Sequence, residues 1–232
     1  MTSTILITGS NRGIGLELVR TFADRNWHVL ACCRRPQQAV ELSAIAEESG
    51  GRVAIHPLDV ADSEQIRSLA ETCGDLSIDI LFNNAGIAGP SPQRFGPIDT
   101  GEWLETLRIN TLAPYHMAVA FVEQVARSRR RIIATIGSQL GSIADNTSGG
   151  RYAYRTSKAA VHMVMKGLAV DLADRRITSV ALHPGWVKTN IGGPQAPVSP
   201  AESAAGLYRV LATLTPEDSG KLWSWDGSQL PW

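Results

Sequence analysis

The sequence predicts a doubly wound α/β domain, in which a parallel sheet of about seven strands has helices on both faces. Short apolar runs alternate with helical stretches of roughly ten or more residues, a pattern typical of right-handed β-α-β crossovers. The early apolar runs also lack polar alternation, as expected of strands that helices cover on both sides. The chain has 232 residues and no internal repeat or linker, so we expect one domain over residues 1–232.

Each element is predicted from residue type and spacing. Aliphatic and β-branched runs predict strands at 5–7, 28–33, 53–55, 78–82, 131–136, 177–182 and 222–225. Apolar residues at helical spacing predict helices at about 13–26, 36–49, 100–130 and 153–172. Pro36 is suited to the first turn of the second of these helices. Asp62 or Ser63 caps one further helix, which precedes the fourth strand.

Composition excludes several classes of function. The 22 Lys and Arg residues balance 22 Asp and Glu residues, whereas a nucleic-acid binder shows a clustered basic excess. No apolar run approaches the roughly 18–20 residues that span a bilayer, and the start MTSTILITGS lacks the features of a signal peptide. We therefore expect a cytoplasmic protein without a nucleic-acid or membrane partner.

The cysteines and histidines do not indicate a metal or disulfide site. The 3 cysteines include no C-x-x-C pair, and the 5 histidines show no metal-binding spacing. Cys32 and Cys33 are adjacent on one predicted strand, so their side chains should point to opposite faces of the sheet. No metal is expected.

A glycine-rich turn follows the first predicted strand. Residues 9–15 read Gly-Ser-Asn-Arg-Gly-Ile-Gly. Glycine lets the backbone approach a pyrophosphate closely, and the helix that follows offers free N–H groups. The second strand ends in Arg34-Arg35, without the acid that holds the adenosine ribose in NAD-binding proteins. Because a guanidinium pairs with a 2′-phosphate, we predict NADP(H) over NAD. The alternatives are a turn that binds nothing and two solvated arginines.

Further segments extend this pattern along the chain. They are Asn83-Asn84-Ala85-Gly86 after the fourth strand, Asn110 in a helix, Ser138 after the fifth strand, Tyr154 with Lys158, and Pro184-Gly185-Trp186-Val187-Lys188-Thr189 after the sixth strand. With the glycine turn, they resemble the motifs of the short-chain dehydrogenase/reductase family over essentially the whole chain. The segments at 143–150, 200–203, 214–220 and 226–232 are similar to those of its C-factor/Sniffer-type carbonyl reductase subgroup.

This resemblance implies a Rossmann-type fold, an NADP(H) cofactor and specific residue roles. The residues for which it implies cofactor contact are Gly9, Ser10, Asn11, Arg12, Gly13, Ile14, Gly15, Arg34, Arg35, Asp59, Val60, Asn84, Ala85, Gly86, Tyr154, Lys158, Pro184, Gly185, Val187 and Thr189. It also implies that Ser138 donates to the substrate oxygen and that Lys158 orients the cofactor. Asn110 would hold a water that links Lys158 to solvent. Leu140 and Trp186 are expected in the substrate pocket.

The pairing of Tyr154 with Lys158 also has a chemical reason. Reduction of a carbonyl creates alkoxide character that needs a proton donor, and the ordinary tyrosine pKa of about 10 is too high for this role at neutral pH. Lys158 lies one turn further on the same helix face, where its ammonium should lower the pKa of Tyr154. Tyr152 lacks such a lysine, and Ser142 remains an alternative to Ser138.

We therefore expect an NADPH-dependent carbonyl reductase that acts on aldehydes, ketones or quinones. Two alternatives stay open: a cofactor-binding signalling protein of the C-factor type, and a 3-ketoacyl-type reductase on the same scaffold. The predicted helix at 153–172 is apolar on several sides, which is typical of buried helices. In related proteins this helix often forms a subunit interface, so a homodimer or homotetramer is predicted.

Overall fold

In a computed structural model that describes residues 2–232, eight strands form one sheet. The strands are β1 (Thr4–Thr8), β2 (His28–Cys33), β3 (Val53–Pro57), β4 (Ile80–Asn83), β5 (Ile132–Ile136), β6 (Thr178–His183), β7 (Leu222–Ser224) and β8 (Gln229–Leu230). Their order across the sheet is β3-β2-β1-β4-β5-β6-β7-β8. All neighbouring pairs from β3 to β7 are parallel, which confirms the doubly wound parallel sheet.

The eighth strand is a difference from the prediction of about seven. β8 pairs antiparallel with β7, because the chain turns back at Gly227, whose φ of +91° suits glycine. The Ser224 N–H donates to the Ser228 carbonyl oxygen at 2.7 Å across this hairpin. Only 2 residues form β8, too few for alternation to reveal a strand in the sequence.

Seven α-helices connect these strands within residues 2–232. They are α1 (Gly13–Ala23), α2 (Val40–Glu48), α3 (Ser63–Cys73), α4 (Thr100–Leu107), α5 (Ala113–Ala126), α6 (Tyr152–Asp171) and α7 (Pro200–Thr213). Asp62 caps α3, because its Oδ1 accepts hydrogen bonds from two N–H groups at 2.9 and 3.2 Å.

Two predicted helices are wrong in detail. The helix predicted at 36–49 starts later, because a 3-10 turn at Pro36–Gln38 precedes α2. The helical region predicted at 100–130 ends earlier, at Ala126, and contains a π-helical turn at Arg108–Leu112 between α4 and α5. Such turns often occur at functional positions, and this one contains Asn110.

Alternate residues of each strand contribute to two apolar layers. On one face, Ile5 and Ile7 pack with α1, α2 and α7, whereas Leu6 packs on the other face with α3, α5 and α6. Cys32 and Cys33 follow the same alternation and lie in opposite layers, as their adjacency predicts.

The strand order reverses between β1 and β4, since the chain first extends the sheet from β1 to β3 and then returns to the other side of β1. Open α/β sheets bind ligands at the carboxyl ends of the strands beside such a reversal. The glycine turn and the segments after β4, β5 and β6 all begin at this edge. No helix within residues 2–232 is long and apolar enough to cross a membrane.

Candidate active site

The glycine turn after β1 contains close contacts that a side chain would block. Gly9 and Gly13 have φ of +67° and +56°, a region in which residues with side chains are strained. A Cβ on Gly15 would lie 2.2 Å from the Gly9 carbonyl oxygen. Arg12 precedes α1 and makes no side-chain capping hydrogen bond, so the first N–H groups of this helix are available to an anion.

The other residues of the turn divide into an anchored base and an exposed tip. Ser10 is fully buried, and its hydroxyl donates to the Ile7 carbonyl oxygen at 2.7 Å. Asn11 is exposed, as is Arg12, and Ile14 is half-buried against the core. The exposed tip is therefore the part of the turn that can contact a ligand.

Asn84 joins the glycine turn to β4. Its Nδ2 donates to the carbonyl oxygens of Thr8 and Gly9 at 2.9 and 3.0 Å. The N–H groups of Asn84 and Ala85 both donate to Thr8 Oγ1 at 3.0 Å. These bonds bring together two segments that the sequence predicts on one site and that lie 76 residues apart along the chain.

At the end of β2, the arginines that should recognise the 2′-phosphate are free to do so. Arg34 and Arg35 are exposed, and within residues 2–232 neither forms a salt bridge. The strand register pairs Thr8 with Cys32, so that β2 ends beside the glycine turn. Asp59 and Val60 follow the neighbouring β3 and are half-buried.

Ser138 and Tyr154 come together at the end of β5. Ser138 is 5% exposed, and its Oγ accepts a hydrogen bond from the Leu140 N–H at 3.1 Å. Tyr154 lies half-buried in the first turn of α6. Burial raises the pKa of Tyr154 above its ordinary value, while a hydrogen bond to Ser138 and the positive charge of Arg151 act to lower it. The two hydroxyls therefore face one site.

Lys158 lies behind Tyr154 and is 4% exposed. Its Nζ donates to the Ile136 carbonyl oxygen at 2.7 Å and lies 5.7 Å from the centre of the Tyr154 ring. Burial lowers the pKa of Lys158 from 10.5 to about 8. The lowering of the Tyr154 pKa by Lys158 stays a prediction, since burial is the largest cause of the pKa shift of both groups and raises the pKa of Tyr154.

Asn110 lies in the π-helical turn and is 1% exposed. Its side chain donates to the Ile87 carbonyl oxygen and to Ser157 Oγ at 2.9 and 3.0 Å, and accepts from the Ile87 N–H at 2.9 Å. A Cβ on Gly86 would lie 3.1 Å from Asn110 Oδ1 and 3.9 Å from Lys158 Nζ. Gly86 thus lies between the two predicted residues, and the water between Asn110 and Lys158 stays a prediction.

The segment after β6 approaches the glycine turn. A Cβ on Gly13 would lie 3.3 Å from the Thr189 methyl group. The Pro184 carbonyl accepts a hydrogen bond of 2.6 Å from a serine of α7, and Val187 forms a β-bridge with Val198. Gly185 has φ of +87°. The approach of Thr189 to Gly13 brings the predicted segments after β1 and β6 to one place.

The two residues expected in the substrate pocket differ in exposure. Trp186 is 56% exposed, and its Nε1 donates to the Gly192 carbonyl oxygen at 2.7 Å. Leu140 is half-buried in the 3-10 turn that follows Ser138. Both belong to segments at the carboxyl edge of the sheet, on either side of β6 in the chain.

The alternative residues have other partners. The Ser142 hydroxyl donates to the main-chain oxygen of Trp232 at 2.9 Å and accepts from the Asp145 N–H at 3.2 Å. Its hydrogen-bonding capacity serves the loop, which favours Ser138 as the serine that meets Tyr154. Tyr152 has Thr156 one turn later, and the Thr156 hydroxyl donates to the Tyr152 carbonyl oxygen at 2.7 Å.

Gln93 and His162 contact the main chain of site residues, and neither belongs to a sequence motif. The Gln93 carbonyl and side-chain oxygens accept from the N–H groups of Arg151 and Tyr154 at 2.6 and 2.9 Å, which fixes the start of α6. His162 Nε2 accepts from the Ser138 N–H at 3.2 Å. A polar residue one turn after Lys158, within the buried face of α6, was the signal that could have revealed His162.

Comparison with known proteins gives consistent matches. The family model described as short chain dehydrogenase matches residues 3–197. The C-signal protein of Myxococcus xanthus is 39% identical over 155 residues, which cover 67% of this chain and 93% of that protein. The carbonyl reductase Sniffer of D. melanogaster is 36% identical, with a TM-score of 0.92 and full coverage of both chains. The NADPH-bound carbonyl reductase from chicken fatty liver is 33% identical, with a TM-score of 0.90 and coverage of 100% and 99%.

Proposed function

The chain belongs to the short-chain dehydrogenase family, and on this premise we propose that it is an NADPH-dependent oxidoreductase that reduces a carbonyl to an alcohol. The substrate class is aldehydes, ketones or quinones. The observation that carries the proposal is the meeting of the Ser138 and Tyr154 hydroxyls in front of Lys158, at the sheet edge where the glycine turn lies.

The cofactor proposed is NADP(H), and the glycine turn suits its pyrophosphate. The φ angles of Gly9 and Gly13 and the missing Cβ of Gly15 let phosphate approach backbone N–H groups at the start of α1. Arg34 and Arg35 would pair with the 2′-phosphate. The NADPH-bound chicken carbonyl reductase, similar over its whole length, supports this choice. When bound, the cofactor supplies the hydride.

The proton is supplied by Tyr154 in this proposal. As the carbonyl carbon accepts a hydride, its oxygen gains negative charge, and the phenol donates a proton to it while the Ser138 hydroxyl donates a hydrogen bond. Lys158 would hold the cofactor ribose and would return a proton to Tyr154. Its pKa of about 8 is close to neutral pH, which suits a group that both gives and takes a proton.

Tyr154→Phe tests the proposal directly. With NADPH and a panel of aldehydes, ketones and quinones, the substitution should lower kcat by about 10²- to 10⁴-fold, the usual contribution of a general acid. The dissociation constant of NADPH should stay the same, since the ring is kept. Tyr152→Phe, two residues earlier on the same helix, is the matched control and should keep full turnover. Full turnover by Tyr154→Phe would refute the role of Tyr154.

A second function is favoured by the match to C-signal, which is 39% identical over 67% of this chain. In this alternative the chain binds the cofactor and acts as a signalling protein. Binding of NADPH without oxidation of it by any carbonyl in the panel would favour this alternative.

The other alternative, a 3-ketoacyl-type reductase, would be distinguished from a general carbonyl reductase by preference for a 3-ketoacyl thioester in the same assay.

We further propose a homodimer or homotetramer in the cytoplasm. The sequence predicts that α6 is buried, but one side of this helix is open, since Met163 and Val170 are 72% and 66% exposed. Val119 of α5 is also 55% exposed. Such apolar faces often mark an interface. The three free, buried thiols suit a reducing compartment. A 25.0 kDa particle in light scattering would refute the oligomer.

A further inference from the structure

His162 lies one turn beyond Lys158 on α6 and is 3% exposed. Its Nε2 accepts a hydrogen bond from the Ser138 N–H at 3.2 Å. The preceding N–H, that of Gly137, donates to the Leu182 carbonyl oxygen at 2.9 Å and so extends the pairing of β5 with β6. The Ser138 N–H is therefore the first donor beyond the sheet, and a side chain supplies its acceptor.

The imidazole of His162 is enclosed by the two glycines that flank the Ser138 turn. A Cβ on Gly137 would lie 2.6 Å from Nε2, and a Cβ on Gly141 would lie 2.7 Å from Cε1. Burial lowers the pKa of His162 to about 3, and the charge of Lys158 acts in the same direction. Because the ring stays neutral, it can carry its single proton on Nδ1, which leaves the Nε2 lone pair to accept from the Ser138 N–H.

Trp232 binds the far end of the loop that begins at Ser138. Its main-chain oxygen accepts from the Ser142 hydroxyl at 2.9 Å and from the N–H groups of Ile143 and Ala144 at 3.1 and 3.2 Å. Its side-chain ring lies 5.3 Å from the His162 ring, centre to centre. Residues 137–144 are thus held between a histidine and a tryptophan that also touch one another.

We propose that His162 and Trp232 are positioning residues, which together fix the Ser138 hydroxyl at the place where the substrate oxygen is stabilised. The inference rests on the proposed function, in which Ser138 donates a hydrogen bond to that oxygen. Both residues act through Ser138 and the loop, since His162 bonds the Ser138 main chain and Trp232 bonds the loop after it. A hydrogen-bond donor contributes to rate only when it is held in place before the charge develops.

A double-mutant cycle of His162→Leu and Ser138→Ala tests this coupling. His162→Leu removes the acceptor and should lower kcat by about 10- to 100-fold, the size of effect that a small misplacement produces. The dissociation constant of NADPH, measured by fluorescence titration, should not change. In the Ser138→Ala background the same substitution should cost nothing further, because the hydroxyl that it positions is gone.

Three variants complete the test. His162→Gln keeps an acceptor oxygen near the place of Nε2 and should recover most of kcat, and it also serves if His162→Leu does not fold. Trp232→Ala should lower kcat less than His162→Leu, because the main-chain oxygen that binds the loop remains. His116→Leu, on the exposed side of α5, is the matched control and should leave kcat unchanged.

Several results overturn the inference. They are an equal loss from His162→Leu in both backgrounds, a parallel loss of NADPH affinity, and a folded His162→Gln variant that is as slow as His162→Leu. If Ser138→Ala retains full turnover, the role of Ser138 in the proposed function is refuted, and so is this inference. If Ser138→Ala is slow but His162→Leu is not, only this inference fails.

Discussion

The two ends of the site are built in opposite ways. At the proposed adenosine end, Arg34 and Arg35 are exposed and, within residues 2–232, form no salt bridge. At the proposed catalytic end, Asn110, Ser138 and Lys158 are 1%, 5% and 4% exposed, and the side chain of each is hydrogen-bonded to the main chain. One end offers charge to a partner, whereas the other holds its groups in place.

The difference teaches how each end should respond to change. Exposed charges cost little in the folded protein and act when a ligand arrives, so they should affect the affinity for the cofactor and leave stability alone. Buried polar groups are desolvated in the folded protein, so they should affect turnover and stability together. Substitutions at each end and a change of pH separate these two expectations.

Lys158→Met should give the largest effect, on the buried end. We expect kcat to fall by about 10²- to 10⁴-fold, whereas the free energy of unfolding should not decrease, since methionine has no charge to bury. Below a pH of about 8 the parent protein buries a charged amine. Between that pH and 10.5, the unfolded chain binds a proton that the folded chain has released, so the parent gains stability as pH rises.

Urea unfolding of both proteins across this pH range measures the effect. Any advantage of Lys158→Met should be greatest below pH 8 and should shrink as pH rises towards 10.5. Lys166→Met, on the same helix, is the matched control. An advantage that grows with pH would contradict the burial of a charged amine at this position.

The double substitution of Arg34 and Arg35 by alanine should give the next effect, on the exposed end. Loss of charge-assisted hydrogen bonds to a phosphate should raise the dissociation constant of NADPH by about 10- to 100-fold. The dissociation constant of NADH, kcat at saturation and the thermal midpoint should all stay the same. Arg129→Ala, which removes an exposed arginine in another part of the chain, is the control. An equal loss of affinity for NADPH and NADH would contradict binding of the 2′-phosphate by Arg34 and Arg35.

Acidification by one pH unit below 6.5 should give the smallest effect, and His162 at the buried end contributes to it. The folded pKa of His162 is about 3, against 6.5 for an unperturbed histidine. Between these values the unfolded chain binds a proton that the folded chain does not, so stability is complete above pH 6.5 and is lost as pH falls. For each such histidine, the free energy of unfolding should fall by about 1.4 kcal/mol per pH unit in this range.

Histidine variants separate this contribution from the general acid sensitivity of the protein. His162→Gln should reduce the slope of unfolding free energy against pH below 6.5, whereas His28→Gln, which is exposed, should not. Identical slopes for the parent and His162→Gln would mean that His162 takes up its proton without unfolding.

Much of the fold could be predicted because its signals are local. Apolar runs gave β1 and β2 nearly at their observed bounds, and alternation along the strand placed Cys32 and Cys33 in opposite layers. The π-helical turn at Arg108–Leu112 has no such signal, because apolar spacing continues through it while Asn110 bonds to Ile87 and to α6.

The site could be predicted only where a motif carries it. Tyr154 and Lys158 are visible at 4-residue spacing in the sequence, but the sense of the Tyr154 pKa shift depends on burial, which spacing does not report. The supporting contacts join residues far apart in the chain: 24 residues between Ser138 and His162, and 90 between Ser142 and Trp232. Such pairings are decided by packing, so one sequence without its structure does not reveal them.

The three buried cysteines allow local unfolding of the molecule to be measured by thiol labelling. Burial raises the pKa of Cys32, Cys33 and Cys73, and the thiolate is the form that an alkylating reagent attacks. Labelling by iodoacetamide should therefore proceed only from opened conformations, at rates that report local unfolding. Because Cys32 and Cys33 occupy opposite layers, their labelling order would tell which side of the sheet loses its helices first.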